Sequence, residues 1–209
     1  MVLQMIIVLG FILYWPAILL WQRWHVGRHA LIAPATSALQ DILESLPQAA
    51  QPVSLWLSPA VSAGEGGVTL FGGRMVLPAD LSSLDPFLGG LIAHEWAHRT
   101  LRHNTITVVY MTCWGLMAGG LFVWLHGHGF WWNEFVLLLF YLVLWGSILT
   151  LFPLARHLEL AADAYVAQHY PQWAPVLLQY FGALADRPAR FVDRHPQPSQ
   201  RRRALARLL

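Results

Sequence analysis

His94, Glu95 and His98, within LIAHEWAHRTLRHN (residues 91–104), set two imidazoles four positions apart with a carboxylate directly after the first. On an α-helix each residue turns by about 100°, so positions i and i+4 point within about 40° of each other and both rings can reach one ion. Glu95 is rotated off that face. It is poorly placed as a ligand beside the histidines but well placed to take a proton from a water at the ion. A hydrolytic zinc site takes three protein ligands and keeps one position open. The third is sought in HLELAADAY (157–165), where Glu159 would complete a His2Glu set. Asp163, four residues on and on the same helix face, would accept a hydrogen bond from a ligand imidazole and fix its tautomer. Isolated carboxylates on an otherwise apolar helix want a partner, which weighs against reading this pair as merely solvated. His157, two positions from Glu159, falls on the far side of the helix. The single cysteine, Cys113, lies in an apolar run, so neither a disulfide framework nor a thiolate zinc site is expected.

The elements that must position these groups are set by composition. Of 209 residues 56% are hydrophobic and only 11% charged, and the mean hydropathy of +0.48 is that of a membrane protein rather than a soluble domain. The 13 basic residues, all arginine, against 11 acids make a balance too mild for nucleic acid, and no basic tract is interleaved with aromatics. Three segments, 2–21, 106–125 and 135–154, reach the length of about 20 apolar residues that a bilayer requires. The first lacks a positive n-region and is read as an uncleaved anchor rather than a secretory signal. Arg23, Arg28, Arg99, Arg102 and Arg156 flank the same ends of the spans, whereas the connection HGHGFWWNE (126–134) has no arginine. The positive-inside rule then puts that loop and the N-terminus outside and both polar regions in the cytoplasm. His98 and Glu159 are 61 positions apart, and an out-and-back hairpin fills most of that interval while returning the chain to the side it left.

Within the polar regions, ATSALQDILESLP reads as a short amphipathic helix with a Ser37/Gln40 capping box and a stop at Pro47. Segments 53–57, 67–71 and 74–78 read as short strands of a small antiparallel sheet. Asp85 is the expected N-cap and Pro86 the first helical residue of the histidine helix. Helices are expected over 174–185 and, short and basic, from Ser199. Gly115 and Gly119 allow close packing of the second span. His126 and His128 read as interfacial anchors beside Trp131 and Trp132; His25, His29, His103, His157 and His169 read as membrane-surface or capping residues.

The order of an HExxH helix, a transmembrane hairpin, an ExxxD helix and a final HP segment with a downstream arginine resembles the HtpX and CaaX prenyl endopeptidase group of membrane zinc metalloproteases. LIAHEWAHRTLRH, ARHLELAADAYVA and HPQPSQR are similar to its three motifs. The resemblance implies a mainly α polytopic membrane protein with a small β-sheet and a zincin-like domain. It would be divided into an anchor (1–24), a first protease part (30–104), a hairpin (105–154) and a second protease part (155–209). It implies one Zn2+ per chain held by His94, His98 and Glu159, with Glu95 as base and the strand near Val68–Phe71 lining the cleft. His195 and Arg201 would approach from the C-terminal segment to stabilise the oxyanion or the substrate backbone. Since Arg201, Arg202 and Arg203 are consecutive, a basic patch contacting phospholipid is the competing reading of all three.

These features predict a zinc endopeptidase integral to a bacterial inner membrane, with its active site cytoplasmic. It would act on peptides or membrane proteins in contact with the lipid bilayer, including in membrane-protein quality control. The alternatives are a regulatory or signalling metalloprotease with one dedicated target and a catalytically inactive scaffold. A sensor domain does not fit in the nine-residue outer loop, and no ligand is missing. A metal transporter would carry His or carboxylates inside its spans, which are nearly free of them.

Overall fold

The computed structural model describes residues 54–61, 67–70, 74–80, 86–128, 134–186 and 195–209, with isolated positions and short runs between 17 and 46; at 126, 134–137, 140 and 144 only helical backbone is described. Most of the expected first span and of the outer loop, the Ser37/Gln40 cap and Asp85 lie outside these residues.

Four short strands, β1 (Leu31–Ile32), β2 (Ser54–Ser58), β3 (Val68–Thr69) and β4 (Arg74–Pro78), form one sheet in the order β1-β2-β4-β3. β1 and β3 pair antiparallel with their neighbours, but β2 and β4 run parallel, Trp56 opposite Val76. The sheet is therefore mixed, not antiparallel as expected. The reason lies in β4, where Met75, Val76 and Leu77 are all fully buried. A strand apolar on both faces belongs in the middle of a sheet, so β3 turns back along its outer side and is left at the edge.

Helix α1 (Leu88–Thr100) is buried continuously from Gly89 to Ala97, the pattern of a helix enclosed on all sides. It starts after Phe87, with Pro86 in the preceding turn rather than at the first helical position. Met75 and Leu77 from the sheet, Ile92, Ala93 and Trp96 from α1, and Ala162 and Val166 from α3 share one core with Leu177, Phe181 and Leu205 from the two helices that follow. Those are α4 (Ala174–Ala183) and α5 (Pro198–Ala206); α5 opens with a reciprocal capping box between Gln197 and Gln200.

Helices α2 (His103–Gly127) and α3 (Glu134–His169) form the hairpin. Met111, Ala118, Gly115 and Gly119 are buried on α2, and Ser147 and Leu151 on α3. Glycine and alanine in that seam let the backbones approach, and Tyr110 bonds Thr150 across it. Val109, Leu116, Val123, Leu142, Trp145 and Leu149 are turned outward and exposed. Both helices are long and apolar enough to cross a membrane. The expected third span and the ExxxD helix prove to be one helix of 36 residues. At 1.5 Å per residue it is about 54 Å long, well beyond a hydrocarbon layer of about 30 Å. Its surplus carries Glu159 and Asp163.

Candidate metal centre

His94 and His98 lie one turn apart on α1, and α3 packs against that turn. His94 Nε2 is 3.0 Å from His98 Nε2. Glu159 Oε2 is 3.3 Å from His94 Nε2, and Glu159 Oε1 is 3.4 Å from His98 Nε2. Donors bound tetrahedrally to zinc at 2.0–2.1 Å stand about 3.3–3.4 Å from one another, close to these separations. Glu159 Oε2 is buried with no hydrogen-bond partner among the described residues. His94 Nε2 and Arg201 Nη1 are each 3.3 Å from it, at ion-pair distance but without hydrogen-bond geometry. The Arg201 cation already faces that oxygen, which takes part in no hydrogen bond among the described residues. His94, His98 and Glu159 could hold a metal ion.

Each imidazole is gripped from behind. His94 Nδ1 stands 2.9 Å from Asp163 Oδ1, which places the ring hydrogen on Nδ1 and leaves Nε2 for the ion. Asp163 is itself held by Arg201, whose Nε and Nη2 donate to its two oxygens at 2.8 and 2.7 Å. The same guanidinium lies against the His94 ring, Nη2 being 3.1 Å from Nε2, and its plane covers Phe181 at 4.2 Å. Burial and the Arg201 charge push His94 toward neutrality. The charge and hydrogen bond of Asp163, with Glu159, outweigh them and raise it to about 9. Burial also disfavours the Arg201 cation, but Asp163 and Glu159 hold it well above the ordinary arginine range. Arg201 is buried whereas Arg202 and Arg203 are exposed, so of the three consecutive arginines only the first faces the cluster.

His98 is gripped by another imidazole. Its Nδ1 is 2.7 Å from Nδ1 of His103, which is only 5% exposed. With His98 Nε2 turned to the cluster, the hydrogen sits on His98 Nδ1 and His103 accepts it. This replaces the expectation of His103 as a surface or capping residue. Arg102, at φ 55°, makes it possible: the left-handed residue breaks α1 from α2 and folds His103 back over His98. The one sequence signal was a third histidine within ten residues of His94, and helical spacing alone does not bring it to the site.

Glu95, beside the ligands but off their face, is 5% exposed and accepts a hydrogen bond at Oε2 from Thr69 Oγ1 at 2.7 Å. Thr69 lies on β3, the strand expected to line the cleft, which packs against α1; Phe71 lies outside the described residues. His195 stands at the open side. Its side chain is 55% exposed and its Nδ1 is 3.4 Å from Glu159 Oε1. The structure thus brings His94, His98, Glu95, Glu159, Asp163, His195 and Arg201 to one place, and leaves His157 exposed on the outer side of α3.

A family model described as Peptidase family M48 matches residues 35–209. No curated protein and no solved structure matches the chain.

Proposed function

The chain belongs to peptidase family M48, the family of HtpX- and CaaX-type metalloproteases, and from that premise we propose that it is a zinc-dependent endopeptidase of the membrane. It hydrolyses peptide bonds of peptides or membrane proteins at the cytoplasmic face, in the manner of a quality-control protease. The observation that carries this reading is the convergence of His94, His98 and Glu159, from two helices separated by an apolar hairpin, at donor spacings of 3.0–3.4 Å.

When bound, zinc supplies Lewis acidity toward a water and the scissile carbonyl. The remaining work belongs to the chain. Glu95 accepts the proton of the attacking water and passes it to the leaving amine. His195, exposed at the rim, donates toward the oxygen on which charge develops. Arg201 already has both carboxylates as partners, so its role is to orient Asp163 and, through it, His94. The outward apolar faces of α2 and α3 suit lipid, since apolar patches of that extent are rare on water-facing surfaces.

Metal content and cleavage, measured together on detergent-purified variants, test the reading. Glu95→Gln keeps the shape and all three ligands but loses the proton acceptor, so zinc should stay near one per chain while cleavage of an unstructured peptide falls by about a hundredfold or more. Glu159→Gln offers a neutral, weaker oxygen and should lose zinc and activity together. A parent protein without zinc, or a Glu95→Gln variant as active as the parent, overturns the proposal.

A further inference from the structure

β3 is the edge strand of the sheet and runs beside the turn of α1 that carries Glu95. Three observations place that edge against Glu95 and hold it there. Thr69 Oγ1 lies 2.7 Å from Glu95 Oε2 and 2.9 Å from the Glu95 carbonyl. Its single proton goes to the carboxylate, the shorter and charge-assisted acceptor. Gly67, two residues earlier, leaves the Glu95 side chain so little room that a Cβ there would stand 3.0 Å from Glu95 Cγ and 3.3 Å from Cδ. The third contact holds Thr69 itself, for Asn104 Nδ2, in the first turn of α2, donates to the Thr69 carbonyl at 2.7 Å.

Strand register explains why that carbonyl is within reach of Asn104. Leu70 N–H donates to the Arg74 carbonyl at 2.8 Å. Leu70 and Arg74 are therefore a hydrogen-bonded pair of the β3–β4 ladder, and by alternation Thr69 and Met75 are the adjoining non-bonded pair. The backbone N–H and C=O of Thr69 consequently point away from β4, toward the outer side of the strand. Its side chain points out of the plane of the sheet to α1, where it meets Glu95. A single residue thus has its carbonyl fixed by the membrane hairpin and its hydroxyl fixed on the carboxylate that sequence and geometry mark as the base.

We propose that Thr69 is a positioning residue for Glu95, and that Asn104 acts through it, so that the edge strand and the first turn of α2 jointly set the orientation of the base. The inference rests on the metallopeptidase reading, in which Glu95 moves the proton. A carboxylate free to turn about χ2 and χ3 spends part of its time with neither oxygen aimed at the water. The Thr69 bond engages Oε2, fixes the plane of the group and leaves Oε1 to accept the proton. Such alignment governs the rate of the chemical step and leaves substrate binding and metal retention untouched.

The test uses the full-length protein in detergent with an unstructured peptide substrate. Thr69→Val keeps the shape and the β-branch but removes the donor; Thr69→Ser keeps the donor and removes only a methyl. Thr69→Val should lower kcat by about ten- to a hundredfold, with KM within about twofold of the parent and zinc content and melting temperature unchanged. Thr69→Ser should recover kcat to within about threefold, and Asn104→Ala should show a smaller fall in kcat of the same kind. A Thr69→Val variant as fast as the parent overturns the proposal, as does a Thr69→Ser variant as slow as Thr69→Val. Should valine disturb folding, Thr69→Ala against Thr69→Ser makes the same comparison. Glu95→Gln, run alongside, separates the two levels. If it is inactive while Thr69→Val is fully active, the positioning role alone fails; if Glu95→Gln is itself fully active, the metallopeptidase reading fails and the positioning role falls with it.

Discussion

His98 keeps its orientation through the His103 imidazole, whereas His94 keeps its own through a carboxylate already braced by Arg201. The two supports differ in strength, because a neutral ring accepts a hydrogen bond less avidly than an anion does. His103→Ala should therefore weaken zinc binding by about ten- to a hundredfold, the usual cost of losing a group behind a ligand. Competition with a graded metal chelator measures it, and unchanged affinity would reduce the contact to packing. At the open side the expectation is opposite in kind. His195 is the most exposed group touching the cluster and meets it at Glu159 Oε1. His195→Ala should leave bound zinc in place and lower kcat by about ten- to a thousandfold. Unchanged turnover would return His195 to an ordinary rim residue.

α1 is the element on which the site depends, and its first turn is packed by the absence of side chains. At Gly89 an added Cβ would stand 2.2 Å from Trp173 Cζ3 and 2.5 Å from Cε3, a clash with a rigid ring. In an exposed helix alanine would improve on glycine by about 1 kcal/mol; here overpacking should win and destabilise by about 1–3 kcal/mol. Thermal unfolding in detergent should show the loss for Gly89→Ala, and a Trp173→Leu background should relieve most of it. Equal cost in both backgrounds would mean that the ring is not the obstacle. His94, Glu95 and His98, and Glu159 with Asp163, are legible in the sequence because each set lies within about one turn of a single helix, although the contacts between the two sets cross from α1 to α3. What escaped was whatever depends on a break or a register. His103 reaches His98 only through the left-handed turn at Arg102. Thr69 meets Glu95 only because β3 lies at the edge; three of the four strands are readable in the sequence, whereas β1 and the strand order are not. Hydropathy changes after Leu154 although the helix does not end there, so the single long α3 reads from sequence as two elements.

At the scale of the molecule, metal chemistry and topology constrain each other. The cluster joins the helix that precedes α2 to the far end of α3, so both membrane-length helices must begin and end at the same level, and only an even number of crossings between His98 and Glu159 achieves this. Arg99, Arg102 and Arg156 all lie at that level, and the described part of the opposite end, through His128, carries no arginine. For short loops the arginine-bearing side is retained in the cytoplasm. Each arginine there also has surface charge of anionic lipid to meet, at about 1 kcal/mol apiece. The site, α4 and α5 should therefore be cytoplasmic. A reporter fused after Leu209 should be active only inside, and one inserted at Gly127 only outside. Adding two or three arginines beside Gly127 should reduce that outside signal, because the asymmetry that orients the hairpin would then be cancelled. A C-terminus reporting outside would overturn the orientation while leaving the three ligands together, because inverting the whole hairpin moves the site across the membrane without separating His98 from Glu159.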